Sequence, residues 1–150
     1  MEIRAKIVIK KQQGHFGIAM YRNEDIRPFL EDKIPLLKDW YLGTINAKVT
    51  SPNGLIIKTI RTNDTTYIYV PEIASYINGR LYVFPPEVMR LIPIKFTINN
   101  NKVSVTDGFL YIPSGSPNPW GGIIEVIAKE ELCKKYNVQE KDEIIVIVNL

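Results

Sequence analysis

Thr44 and Asn46 stand two residues apart in the stretch Gly43-Thr44-Ile45-Asn46-Ala47-Lys48-Val49. Ile45, Ala47 and Val49 alternate with them, so the stretch reads as a β-strand with Thr44, Asn46 and Lys48 on its other face. Two short oxygen-bearing side chains at that spacing point the same way and can grip one ion or phosphate. A half-exposed strand with a polar face is the plain alternative. Glu125 sits in the middle of Ile123-Ile124-Glu125-Val126-Ile127, and alternation places it with Ile123 and Ile127. A carboxylate in an apolar set either faces solvent or holds something specific.

Two loops add candidates. Lys10-Lys11-Gln12-Gln13-Gly14-His15 breaks a strand pattern with two lysines, a glycine and a histidine, a composition that could meet a phosphate. An ordinary hairpin tip with solvated charges is the alternative. Pro113 to Gly122 is rich in proline and glycine and lies between two apolar strands. Loops of that kind inside compact domains are often functional, and Trp120 is an expensive residue for a mere connection. Other chemistries have less to stand on. His15 is the only histidine and Cys133 the only cysteine, which argues against a structural zinc site and rules out an internal disulfide. Cys133 falls in an amphipathic segment and reads as packing rather than as a nucleophile. His15, Ser114 and Asp107 make a catalytic triad on paper only.

The elements that must position these residues are mostly strands. Ile3 to Ile9 alternate, and Phe16 to Met20 follows as a second strand. Asn23-Glu24-Asp25 signals a helix start, and Ile26, Phe29, Leu30, Ile34 and Leu37 have helical spacing. A short helix is expected from Asp25 to Ile34, ended by Pro35. Strands are then expected at Leu55 to Ile60, Thr66 to Val70, Arg80 to Phe84, Leu91 to Ile98, Phe109 to Ile112, Ile123 to Ile127 and Glu143 to Val148. Pro71 to Ile77 reads as a loop or brief helix, Asn78-Gly79 as a hairpin turn, and Lys129 to Lys135 as a short helix. Pro93 must sit at an edge or bulge. The pattern is all-β, a barrel in one domain spanning 1–150 with no repeat or linker.

With 150 residues and 45% hydrophobic content the chain can bury a real core. A net charge of +3 slightly favours phosphate-bearing small molecules and is far from a nucleic-acid signature. No apolar run is long enough to cross a membrane, and the opening Met1-Glu2-Ile3-Arg4 runs straight into a strand pattern, so no membrane and no signal peptide are expected. A single cysteine fits a reducing cytoplasm.

Three segments together resemble the archaeal CTP-dependent riboflavin kinases. The first is Gly43 to Val49, similar to that family's Gly-Thr-Leu-Asn-Leu-Lys strand. The second is Ile92-Pro93-Ile94-Lys95, with Asp107-Gly108 and Tyr111-Ile112-Pro113 after a turn. The third is Ile123-Ile124-Glu125-Val126-Ile127-Ala128, then Leu132, Tyr136-Asn137-Val138 and Asp142. The stretch Thr50 to Met89 carries almost none of the resemblance. The closing helix-turn-strand is shared by many cradle-loop barrels, so the specificity lies in the three segments in order.

The resemblance implies a six-stranded cradle-loop barrel with one or two short packed helices. It implies transfer of the γ-phosphate of CTP to the ribityl hydroxyl of riboflavin, giving FMN and CDP, with Mg2+ as cofactor. By position Thr44 and Asn46 match the family's magnesium ligands, and Ser116 and Glu125 match flavin-binding residues, Glu125 being placed to orient the hydroxyl or take its proton. The nucleotide would lie against Lys10, Lys11, Gln12, Gln13, Gly14 and His15 and against Glu130, Glu131, Leu132 and Cys133. Here the chain departs from the family. Its first loop keeps one glycine of a glycine-rich cradle, and acids stand where the family carries basic residues. The expected protein is a monomer or small homo-oligomer with small-molecule ligands and no nucleic-acid partner. A non-catalytic flavin- or nucleotide-binding barrel and a swapped-hairpin DNA-binding regulator are the alternatives.

Overall fold

β1 (Glu2–Ile7) buries Ile3, Ala5 and Ile7 and exposes Glu2, Arg4 and Lys6, the alternation that its sequence predicts. The computed structural model describes residues 1–8, 25–51, 60, 62–113 and 122–150. The strand expected at Phe16 to Met20 lies outside the described residues, as do positions 55–59 of the strand expected to end at Ile60, together with Ser114 and Trp120. After β1 come helix α1 (25–33), a 3-10 turn (Pro35–Leu37), β2 (Ile45–Ser51), β3 (Thr66–Val70), β4 (Ile73–Ile77) and β5 (Arg80–Phe84). β6 (Glu87–Ile98), β7 (Val103–Pro113), β8 (Ile123–Ile127), α2 (Leu132–Lys135) and β9 (Glu143–Val148) follow.

Six strands close on themselves in the order β6-β7-β8-β2-β1-β9, with β9 pairing back to β6, and every pairing is antiparallel. This is a closed six-stranded all-β barrel with two short helices, as expected. Closure leaves β6 with more edge than the ring uses. Its first half pairs with β3 through Leu91, and its second half pairs with β9 from Ile94 onward. Pro93 falls between these two partners, where an absent N–H interrupts neither ladder. In the ladder to β7 Pro93 is paired in register with Phe109, and the register shift comes after it, between Ile94 and Phe96.

The interior is filled by inward positions of all six strands, among them Ile3, Ala47, Ile92, Phe96, Leu110, Ile124, Val126 and Val146. Leu132 and Val138 close one end. A second apolar layer lies outside the barrel. Ile26 and Leu30 of α1, Leu37, Trp40 and Leu42 cover Met89, Leu91, Phe109, Tyr111 and Ile127 on the outer faces of β6, β7 and β8. Trp40 meets Phe109 at 5.7 Å between ring centroids, so this tryptophan packs rather than binds.

The main departure from the expected elements is Pro71 to Ile77, which forms β4 rather than a loop or brief helix. Residues 73–77 alternate in burial and pair with β5 in a two-stranded hairpin, while Asp25 accepts a hydrogen bond from the Ser75 hydroxyl. Tertiary pairing overrides the short proline-led pattern. Its turn is the predicted Asn78-Gly79, with φ of 53° and 76°. The turn at Asn99-Asn100-Asn101 is likewise left-handed at all three residues, a conformation asparagine tolerates. α2 is shorter than expected: it ends at Lys135, and Asn137 just past its cap is left-handed at φ 49°.

Gly108 has a packing reason. A Cβ there would stand 2.8 Å from Phe96 Cε1 and 3.1 Å from the Ile127 carbonyl oxygen. Gly108→Ala is expected to lower stability by about 1–3 kcal/mol through overpacking. The readout is a lower urea midpoint at unchanged m-value; an unaltered midpoint would show that the Phe96 ring yields freely.

Candidate functional site

The residue that starts the site is Thr44, just ahead of β2. Ile45 and Ala47 point into the barrel, so Asn46 points outward, on the face that carries the second apolar layer. β8 repeats the logic: Ile124 and Val126 are interior, and Glu125 is outward with Ile127. The register then brings them together. Asn46 is the direct partner of Glu125, and Glu125 is the direct partner of Tyr111 across β7. One row across three strands therefore reads Tyr111, Glu125, Asn46. The row continues to the end of β1, where the Val8 N–H donates to the Asn46 carbonyl at 2.9 Å.

Side-chain geometry closes the cluster. The Thr44 hydroxyl lies 3.2 Å from Asn46 Oδ1 and 3.3 Å from Glu125 Oε1, donating to both. A hydroxyl carries one proton, so the two acceptors share one donor and both lie within hydrogen-bond distance of the Thr44 oxygen. All three side chains are half-buried. Tyr111 is buried beside them, and its hydroxyl donates to Met89 Sδ at 3.3 Å. The Thr44 hydroxyl and the Asn46 amide oxygen are hard donors on a rigid strand that could hold a small divalent cation, with the Glu125 carboxylate beside them. Among the described residues no group of three or more His, Cys, Asp or Glu could hold a metal ion, so a purely ionic or soft-ligand centre has no candidate there.

The segment 130–133 runs from a turn into α2. Glu130 and Glu131 are exposed, Leu132 is buried in the barrel core and Cys133 packs partly buried against it. Glu130 is held by Lys135 at 2.6 Å, and the same hydrogen bond lowers its carboxyl below the usual range and raises the Lys135 ammonium. The pair offsets the charge of one of the two exposed acids.

Burial, followed by the charges of Glu131 and Asp142, pushes the Cys133 thiol above its ordinary range. A raised pKa leaves less thiolate at any given pH. Cys133 is therefore expected to react with iodoacetamide at pH 8 far more slowly in the folded protein than in urea, with a rate that climbs as pH rises. Equal rates in the two states would contradict the packing role.

Of the residues singled out in the sequence, Thr44, Asn46 and Glu125 are brought into one cluster, while 130–133 form a turn and the start of α2. Lys10, Lys11, Gln12, Gln13, Gly14, His15 and Ser116 lie outside the described residues. Sequence reasoning gave no role to Tyr111, whose place in the row depends on register. It also missed the contact of Tyr41 with Gly43. A separate concavity of about 430 Å³ lies among Asn99, Lys102, Tyr136, Asn137, Gln139 and Asp142, and takes in none of the clustered oxygens. No helix among the described residues is long and apolar enough to cross a membrane. No family model matches the chain, and no curated protein matches it.

Proposed function

We propose that this protein is a magnesium-dependent phosphotransferase that moves the γ-phosphate of a nucleoside triphosphate, CTP in the first instance, to the ribityl hydroxyl of riboflavin. The observation that supports this reading best is the convergence of the Thr44, Asn46 and Glu125 oxygens from two strands far apart in sequence. The resemblance rests on their order and spacing along the chain, and their meeting in space is independent of it.

Thr44 and Asn46 would hold the magnesium ion, which when bound neutralises charge on the phosphates. Glu125 accepts from the Thr44 hydroxyl and would orient the acceptor hydroxyl. In the transfer, the hydroxyl oxygen forms a bond to the γ-phosphorus while the bond from that phosphorus to the β,γ-bridging oxygen breaks. CDP leaves, and the hydroxyl proton passes to the Glu125 carboxylate or through it to water. The rigid strand backbone fixes all three side chains, so the contribution of the protein is positioning and charge stabilisation. The buried layer of Trp40, Leu42, Phe109 and Tyr111 adjoins the cluster through Tyr111, the register partner of Glu125, and would limit water on that side.

The experiment is direct. Purified protein is incubated with riboflavin, magnesium and each of CTP, ATP, GTP and UTP, and FMN is separated by chromatography. FMN from one donor supports the proposal and names the donor. Its absence with all four, together with quenching of flavin fluorescence on titration, would replace it with a non-catalytic binder. Absence of both would leave only the fold in common with the kinases.

A further inference from the structure

Residues 66–91 form one long hairpin. Val70 faces Glu87 and Ile73 faces Phe84, so one register holds on both sides of Pro71-Glu72 and Pro85-Pro86. Six of the ten large apolar side chains exposed among the described residues lie on this hairpin, a concentration that marks an interaction surface. Its outer half, β4 with β5, is a two-stranded sheet. One face is anchored: Ile77 is buried, Ile73 packs against the second apolar layer, and the Ser75 hydroxyl donates to Asp25 of α1. The other face carries Ala74, Tyr76, Leu81 and Val83, with Tyr76 77%, Val83 56% and Leu81 49% exposed.

The edge of β5 says what covers this face. Ile77 and Arg80 flank the two-residue turn Asn78-Gly79, so they are the first hydrogen-bonded pair, and Ser75 with Tyr82 is the next in alternation. The N–H and C=O groups of Leu81 and Val83 therefore point away from β4, and β5 pairs with β4 alone among the described residues. Edges are ordinarily blunted by lysine, proline or an inward charge, and Leu81-Tyr82-Val83-Phe84 carries none of these. An extended strand is the shape that satisfies such an edge. We propose that this strand is β5 of a second copy of the chain, paired antiparallel about a two-fold axis at Tyr82. β5 is its own complement in that register. Leu81 faces Val83 of the second copy, which carries the apolar face on without a break. Arg80 falls opposite Phe84, so no like charges meet. Within β5, Arg80 already lies over the Tyr82 ring at 5.5 Å and Tyr82 stacks with Phe84 at 6.5 Å, a ladder that the second copy extends. Pro85 and Pro86 have no N–H to donate, which ends the pairing at Phe84. Two marginal two-stranded ribbons become one four-stranded sheet.

Sedimentation equilibrium of the full chain over a wide concentration range tests it. The wild-type mass should rise with concentration from 17.2 kDa toward twice that value. Val83→Lys, at an exposed position, should hold the protein at one chain throughout, and Ile147→Lys, on the exposed face of β9, should leave the dimer as in wild type. Cross-linking reads the register. Facing residues that exchange no hydrogen bond bring their Cα atoms to about 4.5 Å, within reach of a disulfide. Tyr82→Cys in a Cys133→Ser background should therefore give a disulfide-linked dimer on mild oxidation, and Leu81→Cys in the same background should not. The cysteine pair carries the test where Val83→Lys fails to fold. A chain that stays single at every concentration overturns the inference and leaves the edge to a strand of another protein. A dimer that Val83→Lys leaves intact, or Tyr82→Cys that cross-links no better than Leu81→Cys, overturns it as well.

Discussion

Asn46→Ala is expected to lower FMN formation by at least about 100-fold while the protein stays folded, since one preorganised polar group at a reacting centre is worth that much. The stability cost is small by comparison. Asn46 is half-buried and its side chain accepts from one hydroxyl, a contact worth about 0.5–1.5 kcal/mol. A melting curve close to wild type beside lost turnover is therefore the expected pair of results. Thr44→Val and Glu125→Gln should each cause a large loss, and the Asn46→Ala/Glu125→Gln double variant should lose far less than the product of the two. Groups acting as one unit are non-additive in this way. The profile against magnesium separates the roles: raising the ion concentration should partly restore Asn46→Ala and should not restore Glu125→Gln. Full activity in Asn46→Ala would sink the metal-holding assignment.

Phe96→Ala is expected to cost about 3–5 kcal/mol of stability, among the largest effects of any single substitution in the molecule. Phe96 is 1% exposed and lies in the barrel interior. It sits on β6 at the register shift, paired with Val105 on one side and Val146 on the other, so its ring faces the point where the barrel closes. The void left by the ring could not be filled from Gly108, which has no side chain, so the site relaxes little. Against a typical total of about 5–15 kcal/mol, the loss should move the urea midpoint far down or unfold the chain at 37 °C. Phe96→Leu should recover most of it. A midpoint within error of wild type for Phe96→Ala would mean that the barrel interior is not the cooperative core.

Much of the strand pattern is legible because the barrel has a dry inside and a second covered face. Period-two alternation in β1, β2, β8 and β9 reports the interior directly. The hairpin turn at Asn78-Gly79 is legible because left-handed backbone needs glycine or asparagine, and the asparagine run at 99–101 for the same reason. β4 is not, because its short segment follows a proline and gains its strand form only from pairing with β5. The extension of β6 back to Glu87 is hidden for a similar reason, since its first residues pair with β3, a partner the local sequence does not announce.

For the candidate site the division is sharper. The order of residues is enough to say which side chains carry oxygen and which face of each strand they occupy: Thr44 and Asn46 together on one side of Ile45, Glu125 opposite in parity to Ile124 and Val126. Alternation is a local steric property, so it can be read residue by residue. That Asn46 and Glu125 are register partners, and that Thr44 reaches both, is settled in three dimensions alone. Register depends on the closure of six strands and on which apolar set fills the inside, and a slip of one residue would turn Glu125 into the core. The same holds for Tyr41, whose ring lies over Gly43 while its N–H donates to the Lys129 carbonyl. Composition proposes the chemistry, and barrel closure brings the side chains that would carry it within reach of one another.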